Sequence, residues 1–219
     1  MSHQHPPKVV LLLLELGSRS SFLDEQFDIL KAKADVQVIT QAAEASTLFN
    51  STSRPVVFAA DEALTQQKYA QQKAEAVTYI RNGGTIVFGG RIGGRTRSSD
   101  INELFADLSL PWLSGSYYRT DFDLNPSMTQ INTSRLAHRF SQKAMQLSDV
   151  QQNDKIYVPA PSARLQSLVF PAVEIEDHSE TPAAFGSCGL GKVGYLGDVN
   201  AEPETAEVLL AMCGLSGWE

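Results

Sequence analysis

Residues 55–94, PVVFAADEALTQQKYAQQKAEAVTYIRNGGTIVFGGRIGG, decide the fold of this chain. Two short β-branched apolar runs, PVVFAA and TIVFGG, flank a segment in which Tyr69, Ala76, Val77 and Ile80 recur at helical spacing. A strand, a helix and a second strand in this order form a crossover, which places the two strands parallel in one sheet. The stretch therefore predicts an α/β fold.

Patterns on either side extend this sheet. Towards the N-terminus, KVVLLLLELG predicts the first strand, SSFLDEQFDILKAK the first crossover helix, VQVIT the second strand, and QAAEASTLFN a short helix or loop. Towards the C-terminus, INELFADL predicts a short helix, and TPAAFGSCGLGKVGYLGDVN predicts two strands joined by a turn at residues 189–191. EPETAEVLLAMCGL predicts a closing helix, with acidic residues in its first turn.

Residues 109–127, SLPWLSGSYYRTDFDLNPS, break the alternation and predict a hairpin packed beside the sheet. We expect a helical turn within residues 137–147, and further strands at KIYVPAP and SLVFPAVEI. The predicted architecture is a three-layer, flavodoxin-like open parallel sheet with helices on both faces and an additional β-hairpin excursion in the second half. No repeat or linker divides the chain, so we expect one domain over residues 1–219, with 1–7 a loose tail.

Composition and charge restrict the partners. The chain has 18 basic and 25 acidic residues, a net charge of -7, and no basic cluster, which argues against nucleic acid as a partner. The apolar run at residues 9–14 is too short for a signal peptide or a membrane span, so no membrane association is expected. Cys188 and Cys213, far apart in sequence, indicate free thiols and a reducing, cytoplasmic location.

Polar residues that follow predicted strands are the first candidates for a site, because open parallel sheets bind ligands at the carboxyl ends of their strands. These residues are Glu15, Asp61, Glu62, Arg91, Asp198 and Asn200. Asp198, Asp61 and Glu15 are predicted catalytic groups, since paired carboxylates can have displaced pKa values suited to proton transfer. Glu62 and Asn200 are predicted ligand contacts.

Each of these predictions has a structural alternative. Asp61 or Glu62 could complement the N-terminus of the next helix, and Asp198 with Asn200 could form a turn that caps the last helix. Arg91 belongs with Arg95 and Arg97 to a glycine-rich segment that could clamp a carboxylate or phosphate, because guanidinium groups bind such anions bidentately. The alternative for these arginines is a solvated loop with internal salt bridges.

The excursion supplies a second set of candidates. Arg119, Asp121 and Asp123 stand among aromatic residues, which suits a sugar-like or hydroxylated ligand stacked on Tyr117 or Tyr118. The alternative is packing or an interface.

His138 is a candidate ligand contact and the only histidine in a motif context, so a histidine-rich metal site is not expected. Glu15, Asp61 and Asp198 could still hold a hard divalent ion, but no spacing requires one, so no metal and no cofactor are predicted.

The segment ADEALTQQKYAQQKAEAVTYIRNGGTIVFGG resembles the helix and Gly-Gly strand of class I glutamine amidotransferase-like domains, notably the trehalose-utilisation (ThuA-like) family and the middle domain of some β-galactosidases. AHRF, NDKIY and GLGKVGYLGD follow in the order of three ThuA-like motifs: a late HP, an Asp-Glu-aromatic segment and a closing strand. The resemblance implies the fold but not the chemistry. The turn after TIVFGG presents Arg91 where amidotransferases have a nucleophilic Cys, and no His-x-Glu pair follows the C-terminal strands.

The closing strand also ends in Gly197-Asp198, where ThuA-like proteins typically have Gly-His. Three functions remain open. The first is binding of a small polar metabolite at the carboxyl edge of the sheet by a domain without the triad. The second is an acid-base enzyme, an isomerase, lyase or hydrolase, acting on a hydroxylated or carboxylated small molecule. The third is a non-enzymatic module in which residues 112–122 form a homodimer surface.

Overall fold

The computed structural model describes residues 6–17, 24–166, 169, 171–175 and 177–216. The strands are, in chain order, β1 (Lys8–Leu12), β2 (Asp35–Ile39), β3 (Val56–Ala59), β4 (Thr85–Phe88), β5 (Leu113–Leu124), β6 (Arg139–Ser148), β7 (Tyr157–Pro159), β8 (Arg164–Leu165), β9 (Val173–Glu174), β10 (Ala183–Cys188) and β11 (Gly191–Leu196). The α-helices are α1 (Asp24–Lys33), α2 (Ala42–Phe49), α3 (Ala70–Arg81), α4 (Ile92–Arg95), α5 (Ser98–Asp107) and α6 (Pro203–Met212).

The main sheet has the strand order β10-β11-β4-β3-β1-β2. All neighbouring pairs are parallel except β10 with β11, which form the predicted antiparallel hairpin with its turn at Gly189. β1 occupies an interior position, and its residues Val9 to Leu12 are buried on both faces, as expected for a continuous apolar strand covered by helices. This architecture confirms the predicted α/β, flavodoxin-like fold.

Helices cover both faces of the sheet, which gives three layers. α2, α3 and α5 pack on one face, where Phe49, Tyr79 and Phe105 join one core cluster. α1 and α6 pack on the other face, where Leu30 and Leu209 join a second cluster. Each helix contributes one apolar stripe to the sheet, which is the usual way in which amphipathic helices cover a parallel sheet.

The excursion forms a separate antiparallel sheet of order β6-β5-β7. The predicted β-hairpin excursion is present, but residues 109–127 supply only its first strand, β5, and the second strand, β6, lies beyond that range. The helical turn predicted within residues 137–147 is wrong, because this segment is β6. Its inward positions alternate with period two and include Gln142 and Gln146, whose polar side chains concealed the pattern of a strand.

Three smaller features complete the fold. QAAEASTLFN forms the helix α2, and the glycine-rich segment after β4 contains the short helix α4 rather than an extended loop. SLVFPAVEI falls partly outside the described residues, and the described part contains the two-residue strand β9. Within the described ranges, no helix is long and apolar enough to cross a membrane.

Candidate functional site

The structure divides the predicted site residues into two groups at the carboxyl edge of the main sheet. The first, the β3–β4 group, follows β1, β3 and β4 and consists of Glu15, Asp61, Glu62 and Arg91. The second, the β11 group, joins the end of β11 to β5 and consists of Asp198, Asn200 and Arg119. Tyr118, Asp121 and His138 lie on or beside the excursion sheet.

Asp61 fastens the loop after β1 to the end of β3. Its Oδ2 atom accepts hydrogen bonds from the backbone N–H groups of Glu15 (2.8 Å) and Leu16 (3.1 Å), and its Oδ1 atom accepts one from Ala63 (3.1 Å). Burial of the carboxyl group raises the pKa of Asp61, and these backbone hydrogen bonds oppose that rise. The N–H groups of Glu15 and Leu16, which could otherwise hold an anion, are thus occupied by a carboxylate of the protein itself.

The side chain of Glu15 has a different partner. It forms an ion pair with Lys68, and the hydrogen bond from Lys68 lowers the pKa of Glu15. Asp61 contacts the backbone of Glu15 through the bond described above. The two carboxyl groups therefore stand in contrasting environments, since one is partly solvated and paired with a cation while the other is buried among backbone N–H groups.

Glu62 and Arg91 link the ends of two neighbouring strands. Arg91 Nη2 donates to Glu62 Oε1 at 3.0 Å, and the backbone N–H of Arg91 donates to the carbonyl oxygen of Ala60 at the end of β3. The other carboxylate oxygen, Glu62 Oε2, is buried and accepts no hydrogen bond from any described residue. The pair fixes the edge of the sheet and leaves one carboxylate oxygen unsatisfied.

A cleft of about 520 Å³ opens beside this ion pair. We call it the edge cleft; it is lined by Glu62, Thr65, Gln66, Gln67, Lys73, Arg95, Thr96, Arg97, Asp100 and Glu103. Its walls are the segment after β3, the segment after β4 and the N-terminal parts of α3 and α5. The edge cleft therefore occupies the position at which open parallel sheets bind their ligands.

Most charges around the edge cleft are already paired. Lys73 Nζ contacts carboxylate oxygens of Glu103 (2.5 Å) and Asp107 (2.8 Å), and Arg97 Nε contacts Asp100 Oδ2 (2.9 Å). The glycine-rich pattern indicated Arg95 and Arg97 as anion ligands but gave no sign of the polar wall made by residues 65–67. The only sequence signal for this wall is the polar run at residues 65–67, six to eight residues after the end of β3.

In the β11 group, Asp198 organises a turn. Its Oδ1 atom accepts hydrogen bonds from the N–H groups of Asn200 (2.8 Å) and Ala201 (3.1 Å), and its Oδ2 atom accepts one from Glu202 (2.9 Å). Ala201 is held at a φ of 57°, a left-handed conformation that a non-glycine residue adopts at a cost. These bonds are those expected of the structural alternative, in which Asp198 shapes the turn that leads into α6.

Glu202 contacts the β11 group, and the sequence pattern did not reveal it. It forms an ion pair with Arg119, which in turn donates to the side-chain oxygen of Asn200 (2.7 Å) when the Asn200 amide is oriented to satisfy its hydrogen bonds. Burial, together with the neighbouring carboxyl group of Asp198, raises the pKa of Glu202 to about 7, and Arg119 opposes the rise. A carboxyl group that titrates near neutral pH can donate or accept a proton.

The remaining candidates have contacts of their own. The ring of Tyr118 stacks on Phe122 with centroids 6.5 Å apart, and burial raises the pKa of the Tyr118 phenol. Asp121 accepts a hydrogen bond from Gln166 Nε2 (3.0 Å), and the side chain of His138 is exposed. Within the described residues, none of these three side chains forms an ion pair or a hydrogen bond with a member of either group.

No family model and no curated protein matches the chain, but solved structures do. A β-galactosidase from Bacillus circulans sp. alkalophilus has 13% identity and a TM-score of 0.52 over 97% of this chain. A protein from Thermoplasma acidophilum described as a GMP synthase component has 10% identity and a TM-score of 0.50, covering 98% of this chain and 96% of that one. A protein from Parabacteroides merdae described as ThuA-like has 9% identity and a TM-score of 0.51, covering 99% and 93%.

At these identities the similarity shows a shared fold alone. The chain spans 31% of the length of the β-galactosidase, whereas it spans nearly all of the other two proteins. The structure therefore shares its fold with these proteins, in agreement with the fold that the sequence resemblance implied.

Proposed function

We propose that this domain binds a small polar metabolite in the edge cleft. The observation that supports the proposal best is the cleft itself, whose volume of about 520 Å³ falls within the range of small-molecule sites. Its position at the carboxyl ends of β3 and β4 agrees with the general location of ligands in open α/β sheets. Its walls are made mostly of charged, amide and hydroxyl side chains, which favours a polar ligand.

Two oxygen atoms of residues that line the edge cleft are short of partners. Glu62 Oε2 and Thr96 Oγ1 are buried, and neither forms a hydrogen bond with a described residue. A buried polar atom without a partner costs about 1–3 kcal/mol. If the side chains of Glu62 and Thr96 turn towards the cleft, ligand hydroxyl groups can hydrogen-bond to these buried oxygens and recover part of that cost, which favours hydroxylated compounds.

The two cysteines do not favour glutamine hydrolysis. Cys188 lies in the edge strand β10, buried, with its Sγ atom 3.1 Å from the carbonyl oxygen of Leu108. Cys213 follows α6, and burial raises the pKa of its thiol to about 12. Because the thiolate is the nucleophilic form, neither residue has the environment of a catalytic cysteine.

A second function, acid-base catalysis, is favoured by Glu202. Its raised pKa and its position beside Asp198 and Arg119 suit proton transfer at neutral pH, and the group lies at the end of β11, on the same edge as the cleft. The third function, dimerisation, would use the exposed side chains of Leu113 and Tyr117 on β5.

The experiment that tests the proposal is a thermal-shift screen of the purified protein against sugars, sugar acids and small carboxylates, because a ligand of the folded state raises its melting temperature. Any compound that binds is then titrated against Thr96→Val and Glu62→Gln, with Thr52→Val as a control on an exposed threonine outside the cleft. We expect both cleft variants to weaken binding and the control to bind as the native protein does.

Two results would overturn this proposal. One is a screen without any stabilising compound. The other is a ligand whose affinity is unchanged in both cleft variants. If no compound raises the melting temperature and light scattering shows a dimer, dimerisation becomes the better interpretation.

A further inference from the structure

We infer that the edge cleft selects a hydroxylated monocarboxylate, with the ligand's carboxylate bound by Arg95. The inference rests on the proposed function and adds the chemical class of the ligand to it. It follows from three features of the cleft: one basic side chain without a partner among the described lining residues, carboxylates that are already ion-paired, and unsatisfied hydroxyl and carboxylate oxygens.

The basic side chain without a partner among the described lining residues is Arg95. The other basic groups around the cleft are engaged: Lys73 with Glu103 and Asp107, Arg97 with Asp100, and Arg91 with Glu62. Within the described part of the chain, the guanidinium of Arg95 forms no hydrogen bond and no ion pair. Arginine offers a planar fork of donors that matches a carboxylate, so a free arginine in a cleft is suited to bind one.

The backbone beneath Arg95 is held in place although its side chain is exposed. Arg95 ends the short helix α4, and the N–H of Thr96 donates to the carbonyl oxygen of Ile92 at 3.2 Å. Gly93 packs directly against the carbonyl of Gly197 at the end of β11, with no room for a Cβ atom. The position from which the guanidinium reaches into the cleft is therefore fixed by the sheet.

The charges of the cleft favour one carboxylate over a phosphate. Glu62, Asp100 and Glu103 also line the cleft; Arg91 pairs with Glu62, Arg97 pairs with Asp100, and Lys73 is shared by Glu103 and Asp107. A group with one negative charge matches Arg95, the one basic residue without a partner among the described residues that line the cleft. A phosphate monoester carries a second charge near neutral pH, which would lie among these carboxylates without a cation to balance it.

The hydroxyl requirement comes from other polar atoms of residues that line the cleft. Thr96 is the neighbour of Arg95 in sequence, and the unsatisfied Thr96 Oγ1 can donate and accept, whereas Glu62 Oε2 can only accept. The side-chain amide of Gln67, also on the cleft, has no partner among the described residues. Hydroxyl groups both donate and accept, so a polyhydroxylated chain attached to the carboxylate can serve all three.

The test compares four six-carbon compounds that differ in one feature at a time, by isothermal titration calorimetry with the purified protein. Gluconate has a carboxylate and hydroxyl groups, sorbitol has only hydroxyl groups, hexanoate has only a carboxylate, and sorbitol 6-phosphate replaces the carboxylate by a phosphate. We expect gluconate to bind about tenfold to hundredfold more tightly than each of the other three, as a charge-assisted hydrogen-bond pair predicts.

Variants then assign the preference to Arg95. Arg95→Gln should reduce the affinity for gluconate to that for sorbitol, and Arg95→Lys, which keeps the charge without the fork, should lie between. Arg135→Gln is the matched control, because Arg135 is exposed, lies outside the cleft and has no partner in the described residues. It should leave all four affinities unchanged.

The outcomes separate the inference from the proposed function. If sorbitol binds as tightly as gluconate, and Thr96→Val weakens both, the cleft binds polar metabolites but the carboxylate preference is wrong. A preference for sorbitol 6-phosphate would likewise overturn the inference and keep the proposed function. If none of the four compounds binds at millimolar concentration but the thermal-shift screen identifies another ligand of the cleft, the inference is wrong and the proposed function stands; if the screen also yields no ligand, both are wrong.

Discussion

The Oδ2 atom of Asp61 lies 2.8 Å from the backbone nitrogen of Glu15, so a buried carboxylate at the end of β3 holds the loop that follows β1. Flavodoxin-like sheets reverse their strand order between these two strands, which makes this crevice the first place to expect a ligand. Here the carboxylate of Asp61 accepts the hydrogen bonds of the N–H groups in this crevice. The edge cleft lies instead beside the ends of β3 and β4.

This relationship predicts that Asp61→Ala lowers the free energy of unfolding by about 2–3 kcal/mol, because the buried N–H of Ala63 and the partly buried N–H groups of Glu15 and Leu16 lose their acceptor. Asp61→Asn retains one acceptor oxygen and should cost less than Asp61→Ala. Urea unfolding of the three proteins measures both differences. An Asp61→Ala protein as stable as the native one would contradict the role of this carboxylate in fastening the loop.

Asp198 should likewise act on stability through its turn. We expect the free energy of unfolding of Asp198→Ala to be about 1–2 kcal/mol lower, which is the usual cost of removing a side chain that caps a helix N-terminus. The variant should bind cleft ligands as the native protein does. The measurement is urea unfolding combined with calorimetric titration of a cleft ligand. If Asp198→Asn abolishes binding while the melting temperature stays within a few degrees, the catalytic or binding role predicted from the sequence is supported instead.

Glu202 predicts a dependence of stability on pH. Its pKa is raised from 4.5 to about 7 in the folded protein, so the folded state binds more protons than the unfolded state between these values. The contribution of Glu202 is therefore most favourable below about pH 4.5 and is lost as the pH rises to about 7. In Glu202→Gln this loss should be absent, so the free energy of unfolding should fall by on the order of 1–2 kcal/mol less between low and neutral pH than in the native protein.

The pH profile is measured by urea unfolding at closely spaced pH values. Glu204→Gln, in the first turn of α6, serves as the control. It should show the same difference in free energy of unfolding between low and neutral pH as the native protein. A Glu202→Gln profile parallel to that of the native protein would show that this carboxyl group does not titrate in the expected range.

Two adjacent glycines of α4 test how the edge cleft is positioned. A Cβ atom at Gly93 would collide with the carbonyl oxygen of Gly197, whereas one at Gly94 would make an ordinary contact with Val199 Cγ1 at 3.7 Å. Gly93→Ala should therefore cost about 1–3 kcal/mol and weaken ligand binding, because it displaces the segment that bears Arg95. Gly94→Ala is the matched control. Equal melting temperatures and affinities for the two variants would contradict this interpretation.

The main sheet could be predicted because its strands are short apolar runs separated by helical periodicity, as in β3, α3 and β4. The strand β6 could not, because Gln142 and Gln146 occupy its inward positions. Gln142 Nε2 is satisfied there by Thr205 Oγ1 of α6 at 2.9 Å, a contact between residues 63 apart in sequence. A polar residue that is buried with a distant partner has no local signature of burial.

The candidate site was predictable only as a location. The rule that ligands bind at strand ends selected Asp61, Arg91 and Asp198, and the structure places all three at the carboxyl edge. Whether these side chains form hydrogen bonds with the backbone depends on the path of the adjoining loops, and sequence spacing does not encode that path. The edge cleft combines Lys73 of α3 with Arg95 of α4, which belong to different helices, so no local sequence pattern joins them.

The partnership of β4 with β11 has a consequence for the order of folding. Thr85 pairs with Lys192, more than a hundred residues later in the chain, and the whole excursion sheet lies between them. The pairs β1–β2, β1–β3 and β3–β4 close much shorter loops, whose entropic cost is lower. We therefore expect β1 to β4 to assemble early and β11 to dock late. The residues at the end of β4 then gain their neighbours from β11 only in the last step of folding.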